Sequence, residues 1–308
     1  MNLLITGCCG HIGSYIIENV HRLKGVKKTF AIDNLESNRF GSLFKLNKKN
    51  NLKFFLRDLK NKNSLKNLKK IDVVIHCASI TNAEKSFERQ KEMYDNNIGA
   101  FINILKFCNK NKSKLIHLSS ASIYGKQSGI VKENCEKKYI KPQSPYAKIK
   151  LIEEKLLKKN NNKIKYNIFR LGTISGVSKG IRFHTAVNKF CLHSSINEPI
   201  EVYKTALNQY RPYLSIRDIF DVFKFCLEKD FFKNDIFNIL SGNFTVNQIL
   251  KKIKKYQKKK IKIKFVKSAI MNQLSYHVSR TKFDKEGFIL KNKIDTDIKD
   301  TIKLLNNI

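Results

Sequence analysis

Short apolar runs alternate with amphipathic stretches along the first 176 residues of the chain. The runs MNLLITG (1–7) and IDVVIHCAS (71–79) are almost wholly apolar, which is typical of parallel strands covered on both faces. Between them, HIGSYIIENVHRLKG (11–25) repeats apolar residues at helical spacing and closes at a glycine. The same reasoning predicts strands at 28–33, 52–59, 113–120 and 164–172 and helices at 91–110 and 144–159. This alternation predicts an α/β fold with a Rossmann-type, doubly wound parallel sheet.

The alternation loosens after about residue 176, which predicts two units. Residues 1–176 would form a Rossmann-type domain. Residues 177–308 would form a smaller, mixed substrate-binding lobe, with some segments returning to the main sheet. Helices predicted at 184–194 and 215–229 are expected to cover the carboxyl edge of that sheet, where ligands of doubly wound folds bind.

Composition narrows the class of protein. With 308 residues and 42% hydrophobic side chains, the chain can bury a substantial core, which excludes a disordered protein. No apolar run reaches the roughly 18 residues that span a bilayer, and the chain opens with a strand pattern rather than a signal peptide. The seven cysteines include no CxxC pair, which indicates a reducing compartment and neither disulfides nor a metal site. We therefore expect a cytoplasmic protein without membrane insertion.

The formal net charge of +36 has two explanations. Strongly basic chains commonly bind nucleic acid, and the densest run, at residues 251–265, is the best candidate for such binding. However, the excess is nearly all lysine, mixed with asparagine and isoleucine, and these residues share A-rich codons. A compositional bias of the genome therefore accounts for the charge. In addition, runs of charged residues usually form solvated faces. We expect no nucleic-acid partner and keep a non-enzymatic RNA-binding relative of the fold as the alternative.

The candidate cofactor site is the turn after the first strand. Gly7, Gly10 and Gly13 are spaced three residues apart between a strand and a helix, where they permit a tight turn and the close approach of a pyrophosphate. The helix N-terminus then offers free N–H groups to the phosphates. Asp33 ends the second strand, where a carboxylate accepts hydrogen bonds from the ribose hydroxyls and repels a 2′-phosphate. These features favour NAD over NADP, so residues 1–176 would form an NAD-binding Rossmann domain, and this domain also carries the candidate catalytic residues.

The candidate catalytic group consists of Ser120, Tyr146 and Lys150. Tyr146 and Lys150 are four residues apart, so they share one face of the helix predicted at 144–159. A nearby ammonium favours the phenolate form of a tyrosine, which lets it act as a base near neutral pH. Ser120 ends a predicted strand, where its hydroxyl can hold a substrate hydroxyl in line with Tyr146. The set predicts proton abstraction from a hydroxyl whose carbon gives up a hydride.

Seven motifs occur in one order along the chain. They are TGCCGHIG, IDNL, RDL, HCAS, LSSASIYG, SPYAKIK and RPYLSIRD. In this order they resemble the extended short-chain dehydrogenase/reductases. The chain looks like an NAD-dependent sugar-nucleotide epimerase/dehydratase, nearest in pattern to the UDP-glucose 4-epimerases. The resemblance covers roughly residues 1–290 and implies NAD as the cofactor and a nucleotide sugar as the substrate.

The resemblance also implies roles for individual residues. Asp58 and Leu59 would border the adenine, and Arg211 would contact the nucleotide diphosphate, which suits the planar fork of an arginine. Residues expected to bind the cofactor are Gly7, Gly10, His11, Ile12, Gly13, Asp33, Asn34, Asp58, Leu59, Cys77, Ala78, Ser79, Asn97, Tyr146 and Lys150. Residues expected to contact the substrate are Thr81, Ser120, Tyr124, Thr173, Arg182, Asn188 and Arg211.

One absence bears on the type of reaction. Dehydratases of this family carry an Asp–Glu pair directly after the catalytic Ser/Thr, whereas this chain has Ala121 and Ser122 there. Neither residue can serve as an acid or base at neutral pH, so 4,6-dehydration is disfavoured. The expected reaction is epimerisation, in which a hydride leaves C4 of a hexose and returns to the other face. Net oxidation or reduction, and decarboxylation, remain alternatives, and Thr173 stands where the family often has an asparagine that binds the sugar.

The resemblance bears on two further features. Family members commonly dimerise through two helices, including the one with Tyr146, so a homodimer is expected. Ile149, Ile152 and Leu156 form an apolar stripe on that helix, which suits either a partner or the chain's own core.

Cys8 and Cys9 raise the question of a redox pair, because thiols near a helix N-terminus can have lowered pKa values. The family has small residues at both positions, so we interpret them as fillers beside the pyrophosphate.

Overall fold

The computed structural model describes residues 1–83, 85–125, 129–266, 276–291 and 293–306. Its strands are β1 (Asn2–Thr6), β2 (Lys28–Asp33), β3 (Leu52–Leu56), β4 (Val73–His76), β5 (Lys114–Ser120), β6 (Ile130–Val131), β7 (Tyr166–Leu171), β8 (Thr173–Ser175), β9 (Ile200–Tyr203), β10 (Tyr210–Ser215), β11 (Asp235–Ile239), β12 (Gly242–Thr245), β13 (Ile263–Val266) and β14 (His277–Val278). Its α-helices are α1 (His11–Asn19), α2 (Gln90–Asn111), α3 (Pro145–Lys158), α4 (Ala186–Ser195), α5 (Ile216–Glu228), α6 (Val246–Tyr256), α7 (Thr281–Asp284) and α8 (Ile294–Leu305).

Seven parallel strands form the main sheet, in the order β3-β2-β1-β4-β5-β7-β11. The chain builds outward in opposite directions from β1 and β4, and the crevice at such a switch point is where these folds bind ligands. Side chains on both faces of these strands are buried, as Leu3 and Leu4 of β1 and Val74 and Ile75 of β4 show. The predicted Rossmann-type, doubly wound sheet is confirmed.

Helices cover both faces of the sheet. α1 packs on one face, and α2 and α3 pack on the other around Phe101 and Leu157. The helix predicted at 215–229 is expected over the carboxyl edge, but α5 instead lies beside α1 on the first face. The reason is its apolar stripe, because Ile219 and Phe223 are buried in the same core as Leu3. β11 also belongs to the main sheet, next to β7.

The smaller lobe has a core of its own. α4, α6 and α8 pack together around Phe190, Ile249 and Ile298. β8, β10 and β12 form a three-stranded sheet, and β9 pairs with β13. A single residue, Gly172, separates the carboxyl end of β7 from β8, so the lobe stands at the carboxyl edge of the main sheet.

The ends of the predicted elements shift by a few residues. The strand predicted at 52–59 stops at Leu56, and α1 stops at Asn19 and continues as a 3₁₀ turn to Arg22. α2 and α3 start and end within one residue of their predicted limits. Over the described ranges, no helix has the length and apolar character that crossing a membrane requires.

Candidate active site

A cavity of about 420 Å³ opens between the carboxyl edge of the main sheet and the smaller lobe. Its walls come from the turn after β1, the ends of β4 and β5, the first turn of α3 and residues of the lobe. The predicted site residues that line it are Gly7, Gly10, His11, Ile12, Gly13, Cys77, Ser79, Thr81, Ser120, Tyr146, Lys150, Thr173, Arg182 and Arg211. One cavity therefore brings together the glycine turn, the catalytic candidates and four of the other substrate candidates.

Two glycines shape the turn after β1. Gly7 has a φ of +63°, and a Cβ at this position would stand 2.5 Å from the backbone nitrogen of Ala78. A Cβ on Gly13 would stand 2.7 Å from the Cα of Cys8, so α1 packs directly against the turn. Gly10 precedes α1 and provides no side-chain cap, which leaves the first N–H groups of the helix for an anion. The turn is a cradle that fits the diphosphate of a dinucleotide.

Asp33 stands at the carboxyl end of β2, next to this cradle. Its Oδ2 accepts a hydrogen bond from the Cys9 N–H at 2.9 Å, and its Oδ1 accepts one from the Leu35 N–H at 2.8 Å. Both oxygens keep lone pairs that can accept ribose hydroxyls. Arg39, absent from the predicted set, also lines the cavity, and burial lowers its pKa although Asp33 opposes that effect. Arg39 was missed because it lies in an irregular polar loop, where no periodicity indicates which side chains turn inward.

Ser120 is held in place by its neighbours on the 3₁₀ turn that follows β5. Its Oγ lies 2.8 Å from the Oγ of Ser122 and accepts the N–H of that residue at 3.2 Å. Ser120 also ends β5 in register with Leu171 of β7, at the carboxyl edge of the sheet. Its hydroxyl is therefore oriented at the wall of the cavity.

The start of α3 places Tyr146 and Lys150. Ser144 caps the helix by accepting a hydrogen bond from the Ala147 N–H, and Pro145 occupies the first turn. Serine is a preferred residue at the N-cap, and proline is a preferred residue at the first helical position. Tyr146 therefore lies in the first turn and Lys150 one turn further along, and both line the cavity. The Lys150 Nζ stands 5.9 Å from the centroid of the Tyr146 ring.

The Lys150 ammonium is almost completely buried. Burial by itself lowers the pKa of a lysine, but the Glu153 carboxylate, 2.9 Å from Nζ, and the Tyr146 and Cys77 side chains together outweigh burial. The pKa of Lys150 is therefore raised. Lys150 therefore carries a positive charge at neutral pH, which is what stabilising a phenolate at Tyr146 requires. Glu153 is absent from the predicted set, although its position three residues after Lys150 on the same helix was a readable signal.

Tyr124 is predicted to face the sugar, but its side chain is fully buried and lies outside the cavity lining. Its hydroxyl donates to Oδ1 of Asn238 at 2.7 Å and accepts a hydrogen bond from Nη1 of Arg170 at 2.8 Å. Arg170 also binds Glu154, at 2.7 Å from Nη2 to Oε2. These bonds tie the turn after Ser120 to β7, β11 and α3, so Tyr124 supports the site from behind.

Other predicted residues also lie outside the lining of the cavity. Asn97 accepts a hydrogen bond from the Ile80 N–H at 2.8 Å and donates to the Ile80 carbonyl at 3.0 Å, which fixes the loop that carries Ser79 and Thr81. Asn188 similarly ties the Gly176 N–H to the Arg182 carbonyl. Asp58 lines a separate cavity beside β3, and Leu59 is buried in the core. The other predicted residues that lie outside the lining of the main cavity are Asp33, Asn34 and Ala78.

Residues 176–182, here called the seam loop, lie across the first turn of α1. Nε2 of His11 contacts the Gly176 carbonyl at 2.7 Å, and the Ser178 hydroxyl donates to the His11 carbonyl at 2.9 Å. The Gly180 N–H donates to the Ser14 hydroxyl at 2.9 Å. The loop ends at Arg182, whose Nη1 donates to the hydroxyl of Thr81 across the cavity.

Cys8 and Cys9 are fully buried in the turn after β1, with their sulfur atoms 3.9 Å apart. The hydrogen bond from Cys9 and burial raise the pKa of Cys8 far above its ordinary value, so its thiol stays protonated and weakly nucleophilic. The Asp33 carboxylate lies within 4.8 Å of both sulfur atoms. This environment agrees with the interpretation of both residues as small fillers.

These features define an NAD-binding enzyme with a tyrosine–lysine pair at the switch point of a doubly wound sheet. The chain belongs to the NAD dependent epimerase/dehydratase family, whose profile matches residues 3–239. The resemblance stated from the motifs is therefore confirmed, and NAD is the cofactor.

Similarity to individual proteins covers both reactions of the family. The chain is 28% identical over 255 residues, 77% of its length, to dTDP-D-glucose 4,6-dehydratase of Dictyostelium discoideum. It is 31% identical over 165 residues, 50% of its length, to UDP-glucose 4-epimerase of Pisum sativum. These matches cover 57% and 46% of the two proteins, so the chain spans about half the length of these relatives. The structure of UDP-glucose 4-epimerase from Thermus thermophilus with NAD has the same fold, with a TM-score of 0.83, 22% identity and 98% of each chain covered.

Proposed function

We propose that the chain is an NAD-dependent sugar-nucleotide epimerase that acts at C4 of a nucleoside-diphosphate hexose. The observation that carries the proposal is the meeting of Ser120, Tyr146 and Lys150 with the glycine cradle in one cavity. A proton acceptor and a dinucleotide site at one place suit the reversible oxidation of a secondary alcohol.

The residues of the main sheet would hold the cofactor along the carboxyl edge. The turn from Gly7 to Gly13 would bind the diphosphate, Asp33 the adenosine ribose and Lys150 the nicotinamide ribose. When bound, NAD supplies the acceptor for the hydride of the sugar carbon and later its donor. The chain itself contributes the proton transfer and the orientation of the hydroxyl.

Each catalytic side chain has a distinct task. The Lys150 ammonium stabilises the phenolate of Tyr146 by its positive charge, and this phenolate takes the proton from the sugar hydroxyl. Ser120 hydrogen-bonds the same hydroxyl, and its contact with Ser122 orients it for this purpose. On the return of the hydride, Tyr146 gives the proton back, so the cycle leaves no net change in protonation.

The carboxylates near the cavity support epimerisation over dehydration. Within the described parts of the chain, the only carboxylate that lines the cavity belongs to Glu201, on β9 of the smaller lobe. Ala121 is buried, and Ser122 is engaged with Ser120. Loss of water from the sugar needs an acid and a base beside the reacting carbons, and these positions supply neither.

The smaller lobe would bind the nucleotide. Arg211 of β10 lines the cavity and suits the diphosphate of the substrate, while Thr173 and Arg182 line the part of the wall between β7 and the seam loop. Arg182 is a cation beside Tyr146 and Thr81, and burial lowers its pKa. These residues are the ones to vary when the sugar preference is sought.

The test is turnover of nucleotide sugars by the purified protein. UDP-glucose, dTDP-glucose and GDP-mannose are incubated separately with the protein, and the products are identified by proton NMR while absorbance at 340 nm follows NADH. A 4-epimer without accumulation of NADH supports the proposal. Accumulating NADH without an epimer would show a dehydrogenase, and a 4-keto-6-deoxy product would show a dehydratase.

The matched variants are Tyr146→Phe and Tyr94→Phe. Tyr146→Phe removes only the acidic hydroxyl, so the rate should fall by about 10² to 10⁴, the usual contribution of a general acid–base. Tyr94 lies on α2 with 45% of its side chain exposed, and Tyr94→Phe should leave the rate unchanged. Equal rates for both variants would remove Tyr146 from the proposed role.

We also propose that the protein forms a homodimer through α2 and α3. Ile149 of the predicted stripe is buried within the chain, whereas Ile152 and Leu156 are only partly buried. Ile102 leaves further apolar surface exposed along α2. Light scattering coupled to gel filtration tests this proposal, and a monomer at micromolar concentration would reject it.

A further inference from the structure

The Lys150 ammonium has a carboxylate partner inside the protein. Its Nζ donates a hydrogen bond to Oε2 of Glu153 at 2.9 Å, and the two side chains are 4% and 1% exposed. Glu153 lies one turn along α3 on the same face, directed toward the main sheet. A buried ion pair of this kind is costly to desolvate, and removing one partner leaves the other charged and unpaired. The pair therefore needs a reason beyond packing.

A buried histidine lies on the far side of the carboxylate. Nε2 of His117, on β5, is 3.3 Å from Oε2 of Glu153. The imidazole packs against Phe101, with ring centroids 4.5 Å apart, and stacks on His76 at 6.2 Å. Burial lowers the pKa of His117, and it lowers the pKa of His76 to about 3, so both rings are neutral.

Two other ionisable groups face Lys150, and the neighbouring carboxylate on the helix has its own partner. From the start of α3, the Tyr146 hydroxyl faces Lys150, and from the end of β4, Cys77 does so with a pKa that burial raises to about 12. Glu154, next on the helix, is paired with Arg170 at 2.7 Å. Among the described residues, Glu153 is thus the negative charge bonded to Lys150.

We propose that Glu153 is the positioning residue of the catalytic lysine: it fixes the Lys150 ammonium in place and keeps it protonated throughout the reaction. The proposal rests on the function proposed above, in which Lys150 supports Tyr146. An ammonium has three N–H donors, and Glu153 takes the one that points into the sheet. The other two N–H groups would then be directed to the phenolate of Tyr146 and to the nicotinamide ribose.

The balance of charges explains why a lysine at this place needs a partner. Burial alone would lower the pKa of Lys150, and a buried lysine can become neutral near physiological pH. The Glu153 carboxylate is the main group that reverses this effect. Burial would raise the pKa of Glu153 itself, but the Lys150 ammonium and the His117 imidazole lower it to about 2. Over the whole neutral range the site therefore holds one cation and one anion.

The test compares Glu153→Gln with Glu154→Gln. Both changes remove a buried carboxylate from adjacent positions of α3, but only Glu153 touches Lys150. Protein labelled with ¹⁵N at the lysine side chains is titrated by NMR in the apo form, and Lys150→Met assigns the signal. Lys150 of the unmodified protein should stay protonated beyond about pH 10. Glu153→Gln should lower the midpoint by at least about one pH unit, and Glu154→Gln should leave it unchanged.

The same variants are then compared in turnover. Glu153→Gln should introduce a decline of kcat on the alkaline side that the unmodified protein lacks below about pH 9, with KM changed less than kcat. Unchanged titration of Lys150 in Glu153→Gln would overturn the proposal. A shifted titration in a protein that epimerises no sugar would leave the positioning role intact and reject the proposed function instead.

A second variant covers the case in which Glu153→Gln does not fold. Glu153→Asp keeps the charge but withdraws it by one methylene, so Lys150 should stay protonated while its ¹⁵N shift changes and kcat falls at least about fivefold. An unchanged ¹⁵N shift together with an unchanged kcat would overturn the proposal.

Discussion

Substituting Gly13 by alanine should separate cofactor binding from folding. A Cβ at this position would stand 2.7 Å from the Cα of Cys8 and 2.9 Å from the carbonyl carbon of Gly7, and closer still to the Gly7 carbonyl oxygen. Ordinary contacts of a Cβ begin near 3.4 Å, so α1 and the glycine turn must move apart by several tenths of an ångström or more. The atoms that must move belong to the backbone, which no change of rotamer can relieve.

The magnitude follows from two opposing terms. Overpacking of this kind costs about 1–3 kcal/mol, whereas replacing glycine by alanine within a helix returns up to about 1 kcal/mol. The free energy of unfolding should therefore fall by no more than about 3 kcal/mol. The N–H groups of the displaced cradle are then out of place for the diphosphate of the cofactor. A loss of about 1–3 kcal/mol of binding free energy weakens NAD binding about 5- to 150-fold.

Calorimetric titration with NAD, together with thermal unfolding of the apo protein, measures both quantities. Gly41→Ala is the matched control, because among the described residues no atom beyond the chain neighbours of Gly41 comes within 4 Å of a Cβ at that position. The control should bind NAD within about twofold of the unmodified protein. A folded Gly13→Ala variant with unaltered affinity for NAD would refute the assignment of this turn as the diphosphate cradle.

Two further predictions concern buried titratable groups. The folded protein keeps His11 and His76 neutral with pKa values lowered to about 3, and burial lowers the pKa of His117 as well. Because the unfolded chain binds these protons near pH 6.5 and the folded chain does not, the free energy of unfolding is highest above pH 6.5. It falls as the pH drops toward the folded pKa values, by up to about 1.4 kcal/mol per pH unit for each histidine. Thermal unfolding between pH 6.5 and 5 should therefore show a smaller slope for His76→Asn than for the unmodified chain, and equal slopes would contradict this account. The second prediction is that NAD slows alkylation of Cys77, which lines the cavity with a pKa raised to about 12, while the fully buried Cys8 and Cys9 react slowly with or without NAD. Mass spectrometry of labelled peptides measures the three rates, and labelling of Cys77 that ignores NAD would contradict the placement of the cofactor.

The sequence was informative wherever a regular period determines which way a side chain points. The strands alternate with helices in a way that only a parallel sheet satisfies, and α3 could be predicted within a residue from its serine cap, its proline and its apolar stripe. The same periodicity put Tyr146 and Lys150 on one face. The glycine spacing located the cradle, because few other residues fit at positions where a Cβ would meet backbone.

The misplaced residues have a common cause. Tyr124 follows a strand end within a recognisable motif, yet its direction depends on Arg170 and Asn238, which are 46 and 114 residues away in the chain. α5 has a clear amphipathic pattern, but a pattern does not say which apolar surface receives the helix. Glu153 and His117 became neighbours only when α3 packed on β5. Long-range packing decided each of these cases.

The seam loop bears on how long the cofactor stays bound. Hydrogen bonds at Gly176, Ser178 and Gly180 attach it to the first turn of α1, directly beside the cradle for the diphosphate. From there Arg182 reaches across to Thr81. We expect a dinucleotide bound in this cradle to leave only when the loop detaches from the helix, so the opening of the loop would set its residence time. For the proposed epimerase, which would return each hydride to the sugar it came from, we expect slow exchange of NAD.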